Sequence, residues 1–310
     1  MSVAGITSHI FDDASIRGTV KDAFRVKYKE SKPRWKMLGF EEDTTNRPWE
    51  EYTSWSGMGL TPRKEENQQV VIDVPKQNQT LRVTVYEYAL MMAISEAADR
   101  FIKNGTMSIR QYIQPSEMLA ESVKQTNEIL AADIFGQAFS TGSLGMDGVP
   151  LVSATHELGR GGTDSNYLGT ASFSQSSLEA ALIQGDRFKD DVGLQVGVKE
   201  GKRKLLIPPE YRMEAKRILK SEKQSNNNLN AINVLFDEDL EVVVNRYLPS
   251  QSNWFFVNSG EPQGLFCNVE TEAQMRSFKD DKTHTKYFQV YQMIAFAFGL
   301  NWRRVQGSDF

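Results

Sequence analysis

Hydrophobic and polar positions change period several times along the chain. Between Ser116 and Phe139, Leu119, Val123, Leu130 and Ile134 recur at helical spacing, with Thr126 bridging the face. Pro115 precedes Ser116, a good N-cap, so the pattern predicts a helix over 116–139, about 35 Å of rod. Near the end, YFQVYQMIAFAFGLNW (287–302) is apolar or aromatic at almost every position. Read as a strand, Phe288, Val290, Ile294, Phe296 and Phe298 share one face, broken by Gln292. Tyr287, Tyr291, Met293, Ala295 and Ala297 share the other. Both faces need cover. The 116–139 helix supplies one layer; loops, another layer or a neighbouring subunit must supply the rest.

Alternation marks a hairpin earlier in the chain. QQVVIDV (68–74) and QTLRVTVY (79–86) read as strands joined by PKQN, with Leu81, Val83 and Val85 on one greasy face. A lone hairpin is marginal in water, so that face must rest on something. EYALMMAIS extends the second strand back into the body, and Ser95 caps a short helix that stops at Gly105. Before the hairpin, a short helix is expected from Val20. SKPRWKMLGFEEDTTNRPWEEYTSWSGMG then has no sustained period and carries Trp35, Trp49 and Trp55. It reads as an extended arm with aromatic anchors, whose groove lies on this molecule or on a neighbour. After the long helix, 141–170 is a glycine-rich loop. Helices follow from Ser174 and over 210–223. RKLLIPP, INVLF, LEVVVNRYL, NWFFVNS and GLFCNV are strand candidates, and QSNNNLN is a polar tip. Helices and strands mix without a βα repeat, which is α+β.

Composition narrows the chemistry. With 36 Lys and Arg against 40 Asp and Glu, a net charge of -4 argues against a strongly basic DNA-binding module. Basic residues do cluster at Lys202–Lys204, at Arg212, Lys216, Arg217 and Lys220, and at Arg303–Arg304. These allow nonspecific phosphate contact but show no base-reading motif. Cys267 is the only cysteine and reads as a buried small hydrophobe, so no intrachain disulfide and no thiolate cluster is expected. No basic start with an apolar run and no bilayer-length segment appears, which fits a soluble protein made inside the cell, with no membrane partner. His9, His156 and His284 form no metal-binding spacing. The doublets Asp12–Asp13, Asp190–Asp191 and Asp280–Asp281 read as solvated turns. GRGG at 159–162 lacks the GK[ST] ending of a phosphate loop. Asp147, Ser153 and His156 lie within one loop and form the best hydrolytic candidate, but no GxSxG elbow accompanies them. No cofactor is expected.

Over residues 45–310 the order of these features resembles the major capsid proteins of tailed bacteriophages with the HK97-like shell fold, closest to the head subunits of Mu-like phages. The resemblance runs through WEEYTSWSGMG, through QVVIDVPKQNQTLRVTVYEYALMMAISEAAD and through DGVPLVSATH. The last departs from the family at Val152, where phenylalanine is usual. Asp190, Gly193, Leu205, Leu206, Pro208, Pro209, Trp254 and the apolar terminal strand match further family positions.

That resemblance implies an arm over 1–54, an extended loop over 55–88 and a peripheral domain over 89–185 containing the spine helix. An axial domain over 186–250 and a return to the peripheral domain over 251–310 complete it. It implies no enzyme activity. Subunits would form hexamers and pentamers of an icosahedral head around double-stranded DNA, assembled in the host cytoplasm with portal and scaffolding proteins. Trp35, Trp49, Trp55, Val70, Ile72, Leu81, Val83 and Val85 would then make inter-subunit contacts. Alternatives are an encapsulin-like shell around enzymes, another virion structural protein, and a hydrolase on Asp147, Ser153 and His156.

Overall fold

The computed structural model describes residues 13–30, 32–198, 203–223, 232–261 and 263–310. His9, Asp12, Lys202 and the 224–230 tip lie outside them. In chain order the elements begin with α1 (Asp13–Lys29), a 3-10 turn (Arg34–Leu38), β1 (Glu41–Thr44), β2 (Trp49–Trp55), β3 (Gln77–Thr84) and β4 (Tyr86–Ile94). Next come α2 (Glu96–Lys103), α3 (Arg110–Gly136), the short β5 (His156–Glu157) and β6 (Thr163–Asp164), and α4 (Gln175–Asp186). The chain finishes with β7 (Arg203–Ile207), α5 (Arg212–Lys220), β8 (Leu240–Val244), β9 (Trp254–Asn258), β10 (Leu265–Lys279), β11 (Lys286–Phe298) and β12 (Val305–Ser308).

The apolar terminal strand is β11, and it sits inside a four-stranded sheet of order β1–β10–β11–β4. Its partners are antiparallel on both sides, with Val290 opposite Met275 and Leu90. Phe288, Val290 and Ile294 are buried where the helices cover the sheet. Gln292 interrupts that face because it exchanges two amide hydrogen bonds with buried Asn127 of α3, at 2.6 and 3.3 Å. A buried amide so paired satisfies itself and fixes the register of helix on sheet. The opposite face stays half-exposed at Tyr287, Tyr291 and Met293.

Two helices share the covering task. Ile16, Val20 and Phe24 of α1 pack beside Tyr112, Leu119, Ala120 and Val123 of α3. The helix expected from Val20 therefore starts by Asp13. The long helix also starts earlier than Ser116, at Arg110, with Pro115 inside it. Tyr112 is the reason. Its ring is fully buried against Phe288 at 5.9 Å, and its hydroxyl donates to Asp99. Burial of that ring, worth about 1.5–3 kcal/mol, outweighs the amide that Pro115 lacks so near the helix start. Ser116 caps nothing; its hydroxyl donates to the Ile113 carbonyl at 2.8 Å. Ser95 caps α2 as the sequence predicts, and the helix expected from Ser174 is α4, with Ser174 as its N-cap.

The hairpin is paired differently from the sequence expectation. QQVVIDV forms no strand. β3 pairs instead with β2, placing Tyr52 opposite Leu81 and Trp49 opposite Thr84. Tyr52 decides this pairing: its ring stacks on Phe266 at 4.4 Å and its hydroxyl meets Asn268 at 2.8 Å. The 68–74 segment has no aromatic anchor of that kind; its side-chain tie to the body is polar, at Asp73. The arm therefore is not structureless: β2 already belongs to the hairpin, and a boundary at 54/55 cuts through it.

A second four-stranded sheet has the order β12–β9–β7–β8 and carries α4 and α5. Because β9 and β12 pair with β7 and its neighbours, a boundary at 250/251 also cuts through a sheet. INVLF is a 3-10 turn rather than a strand, held where Asn233 accepts from the Leu235 amide. One continuous core joins the two sheets through Phe135, Leu206, Phe255, Val257, Leu265, Ile294 and Phe298. Arg304 knits three distant stretches: it donates to the carbonyls of Asn258, Ser259, Glu261 and Gly39. Arg303 donates to the Lys189 carbonyl and faces Asp191 at 3.6 Å. That doublet is structural, not a free basic patch.

Candidate assembly surface

Residues 56–76 leave the body at the far end of the β2–β3 hairpin and return to it. The loop's ends are tied: the Ser56 amide donates to the Lys76 carbonyl at 2.8 Å, and the Lys76 amide donates to Ser56 Oγ at 2.9 Å. Between these ties, Met58, Leu60, Val70, Val71, Ile72 and Val74 are all exposed, Ile72 at 82 %. Six large apolar side chains on one loop exceed the scattered exposure normal for a surface. Trp55, at 60 % exposed, adjoins them.

The residues expected at this surface divide into two groups. Trp55, Val70 and Ile72 face solvent. Val83 and Val85 are buried against Ala295, and Leu81 packs onto Gly299, where a Cβ would sit 2.6 Å from Leu81 Cδ2. These three are the hairpin's inner face, resting on the end of β11. Trp35 is 5 % exposed, edge-on to Phe296 and Phe40. The arm's first anchor thus finds its groove on its own chain. Trp49 is half-buried beneath the Arg82 guanidinium, 3.9 Å from its ring centre. On α3, Leu119 and Val123 are buried, while Leu130 and Ile134 pack at the margin of the shared core. Sequence reasoning missed Met58, Leu60, Val71 and Val74. Their signal was present, since no cover for them exists in the sequence pattern. A second open feature is β4, the outermost strand of its sheet, with Ala89, Leu90, Met91 and Ala93 exposed.

The hydrolytic candidate forms only in part. His156 is 1 % exposed, with Nδ1 at 2.5 Å from Asp147 Oδ2 and its ring stacked 4.8 Å above Trp302. Its other nitrogen meets Asn166 Oδ1 at 3.0 Å, not Ser153. Ser153 Oγ instead accepts from the Thr155 amide at 3.2 Å. A nucleophile needs its base within hydrogen-bond reach, and here the base is occupied. Asn166, invisible to motif reading, is the true hub. Its Nδ2 donates to the carbonyls of Leu151, Trp302 and Val305, and its Oδ1 accepts from the Ser153 amide. The centre pins the glycine-rich loop to the β11–β12 connection. His156→Ala is expected to cost about 2–4 kcal/mol in urea unfolding of the subunit, by leaving a cavity beside Trp302 and removing the hydrogen-bond partner of Asp147 Oδ2.

Other chemistry is sparse. Burial pushes the Cys267 thiol up to about 12, which makes it unreactive. Among the described residues no cluster of His, Cys, Asp and Glu is arranged to hold a metal, and no helix is long and apolar enough to cross a membrane. Arg203 pairs with Asp186 at 2.5 Å and Lys204 donates to the Met37 carbonyl. Arg212, Lys216, Arg217 and Lys220 on α5 lie at the surface.

Several solved structures share this architecture at low identity. The capsid of a native GTA particle, computed with C5 symmetry, is 10% identical and superposes with a TM-score of 0.58 over 90% of this chain and 91% of that one. The capsid of cyanophage P-SCSP1u is 11% identical, with a TM-score of 0.54 over 87% and 86% of the two chains. The virus-like particle from Pyrococcus furiosus is 12% identical, with a TM-score of 0.51 over 94% and 98%. These likenesses establish the HK97-type capsid fold. No curated protein matches the chain. The sequence signature of the family described as phage capsid protein matches residues 78–306, which is most of the chain. Its members are structural and non-catalytic. The chain therefore belongs to the phage capsid protein family, as a self-assembling structural protein of the virion rather than an enzyme.

Proposed function

We propose that this chain is the repeating subunit of an icosahedral phage head, closing as hexamers and pentamers around double-stranded DNA. The observation that carries the reading is the loop 56–76. Its ends are fastened to each other, yet its apolar side chains have no cover on their own chain. Exposed apolar surface of this kind is stabilised by burial against another molecule, and in a repeating shell that molecule is a second copy. The fivefold symmetry of the GTA capsid, which has a similar fold, supports the same arrangement.

In this reading residues 56–76 are the extended loop and α3 is the spine helix. The sheet under α1 and α3 is the peripheral domain, and the β12–β9–β7–β8 sheet is the axial domain. Trp55, Val70 and Ile72 reach a neighbour. The basic residues of α5 supply nonspecific phosphate contact, enough for a packaged duplex that needs no sequence readout. Portal and scaffolding proteins complete assembly in the host cytoplasm. Negative-stain imaging of the protein, purified alone and with its companion head proteins, tests the proposal. Closed particles with fivefold and sixfold clusters are expected. Monomers or dimers under both conditions at high concentration would overturn it. Particles that exclude DNA and enclose protein would transfer the reading to an encapsulin-like shell.

A further inference from the structure

The GRGG stretch at 159–162 is the turn between β5 and β6, and its side chain points at the base of the loop 56–76. Gly161 and Gly162 take φ of +101° and +92°, conformations that favour glycine, and the turn closes through the Leu158 amide on the Gly162 carbonyl at 3.0 Å. Leu158 is buried against Phe188 and Trp302, and the Arg160 amide donates to the Asp191 carbonyl at 3.0 Å. The turn is thus fixed to the body on both sides.

From this platform the Arg160 guanidinium holds both limbs of the loop. Its Nη2 meets Asp73 Oδ1 at 2.8 Å, the Gly57 carbonyl at 3.1 Å and the Val74 carbonyl at 3.4 Å. Asp73 cross-ties the limbs, since its Oδ2 accepts from the Gly59 amide at 2.7 Å. A second tie lies beside the first: Asn78 of β3 donates to Asp191 Oδ2 at 3.1 Å. Gly159 allows this approach, because a Cβ there would fall 2.7 Å from Asn78 Oδ1. Beneath the hairpin, a cavity of about 400 Å³ separates Ser54, Gln77 and Asn78 from Asp147, His156 and Trp302. The hairpin end meets the body at one edge, where Ser56 is buried and Gly57 lies against Val192, and across the cavity polar ties set its angle.

We infer that Arg160 is a positioning residue for assembly, which aims the loop 56–76 by clasping Gly57, Asp73 and Val74 from the β5–β6 turn. The inference rests on the capsid reading for its purpose but not for its geometry. Without the clasp, the hairpin end can swing across the cavity and the loop's apolar residues leave their set direction. All three contacts come from one guanidinium nitrogen, so lysine, with three donors on its ammonium but a different reach, can restore the clasp only in part.

Two readouts test this on the full chain. In dissociated subunits, Arg160→Ala is expected to lower hydrogen-exchange protection of the Ser56, Gly59 and Lys76 amides by about tenfold, as suits a half-exposed charged contact. Amides of α3 and β11 keep their protection. Particles of Arg160→Ala are expected to be fewer and mixed in size, with Arg160→Lys intermediate. The pair Arg160→Asp with Asp73→Arg is expected to recover part of both losses, which a role in folding alone would not produce. Unchanged protection at the three amides would overturn the clasp. Lost protection with uniform, full-yield particles would overturn its role in positioning. If the natural sequence forms no shells, the capsid reading fails, and the exchange result still decides the clasp.

Discussion

Replacing residues 57–75 by an Asn-Gly turn is expected to leave a folded, soluble subunit that no longer closes into shells. Ser56 and Lys76 face each other just beyond the last strand pair, Trp55 with Gln77, joined by the Ser56 amide on the Lys76 carbonyl and the Lys76 amide on Ser56 Oγ. A two-residue type I′ turn fits between strands so paired. Shortening the loop reduces the entropy cost of closing it, so unfolding free energy is expected to stay within about 1 kcal/mol of the natural chain. The exposed side chains of the loop touch no part of the core, so their removal opens no cavity. Denaturant unfolding checks the first half of this expectation and electron microscopy the second. Particles at normal yield would show that the loop's apolar surface is not the contact that builds the shell.

The second large effect lies inside the subunit, where α2 and α3 meet the start of β11. Asp99 accepts from Lys286 at 2.8 and 2.9 Å, from the Tyr112 hydroxyl, and from Lys103 at 3.2 Å. Both Asp99 and Lys286 are buried. Asp99→Ala leaves the Lys286 ammonium buried without its carboxylate, and is expected to cost about 3–5 kcal/mol. Replacing both, Asp99→Leu with Lys286→Met, is expected to cost less than the single change, since no charge is then stranded. Midpoint shifts in urea measure both.

The same group predicts an acid response. Burial pushes the Asp99 carboxyl upward, but hydrogen bonds from Lys286, Tyr112 and Lys103 outweigh it and hold the pKa below the usual 3.8. Asp99 therefore contributes its full stabilisation above about pH 4 and loses it as pH falls through the depressed value. Asp99→Asn is expected to flatten the stability curve below pH 4. A curve as steep as that of the natural chain would assign the acid loss to other carboxylates.

Local rules made much of the fold legible. Ser95 and Ser174 cap helices because a hydroxyl before an apolar-periodic run has one best use. The β11 faces follow from alternation, and Gln292 marked itself as the odd residue on its face. What failed was partner choice. QQVVIDV has strand character, but β pairing is decided by contacts distant in sequence, here Tyr52 on Phe266 and Asn268. The start of α3 was hidden for the same reason: Pro115 is a local stop signal, overruled by Tyr112 meeting Phe288. At the assembly surface, composition could mark the loop as greasy and outreaching. It could not separate Trp55, which faces outward, from Trp35, which fills its own core, because burial depends on the groove and not on the anchor.

The place of β11 bears on how such subunits are made. It is an inner strand of its sheet, between β10 and β4, while β12 closes the edge of the other sheet and Arg304 fastens Gly39 to the turn after β9. Ribosomes must therefore pass residue 298 before the first sheet is whole and residue 308 before the second. A chain interrupted before residue 298 lacks the inner strand of its first sheet, the shared partner of β10 and β4.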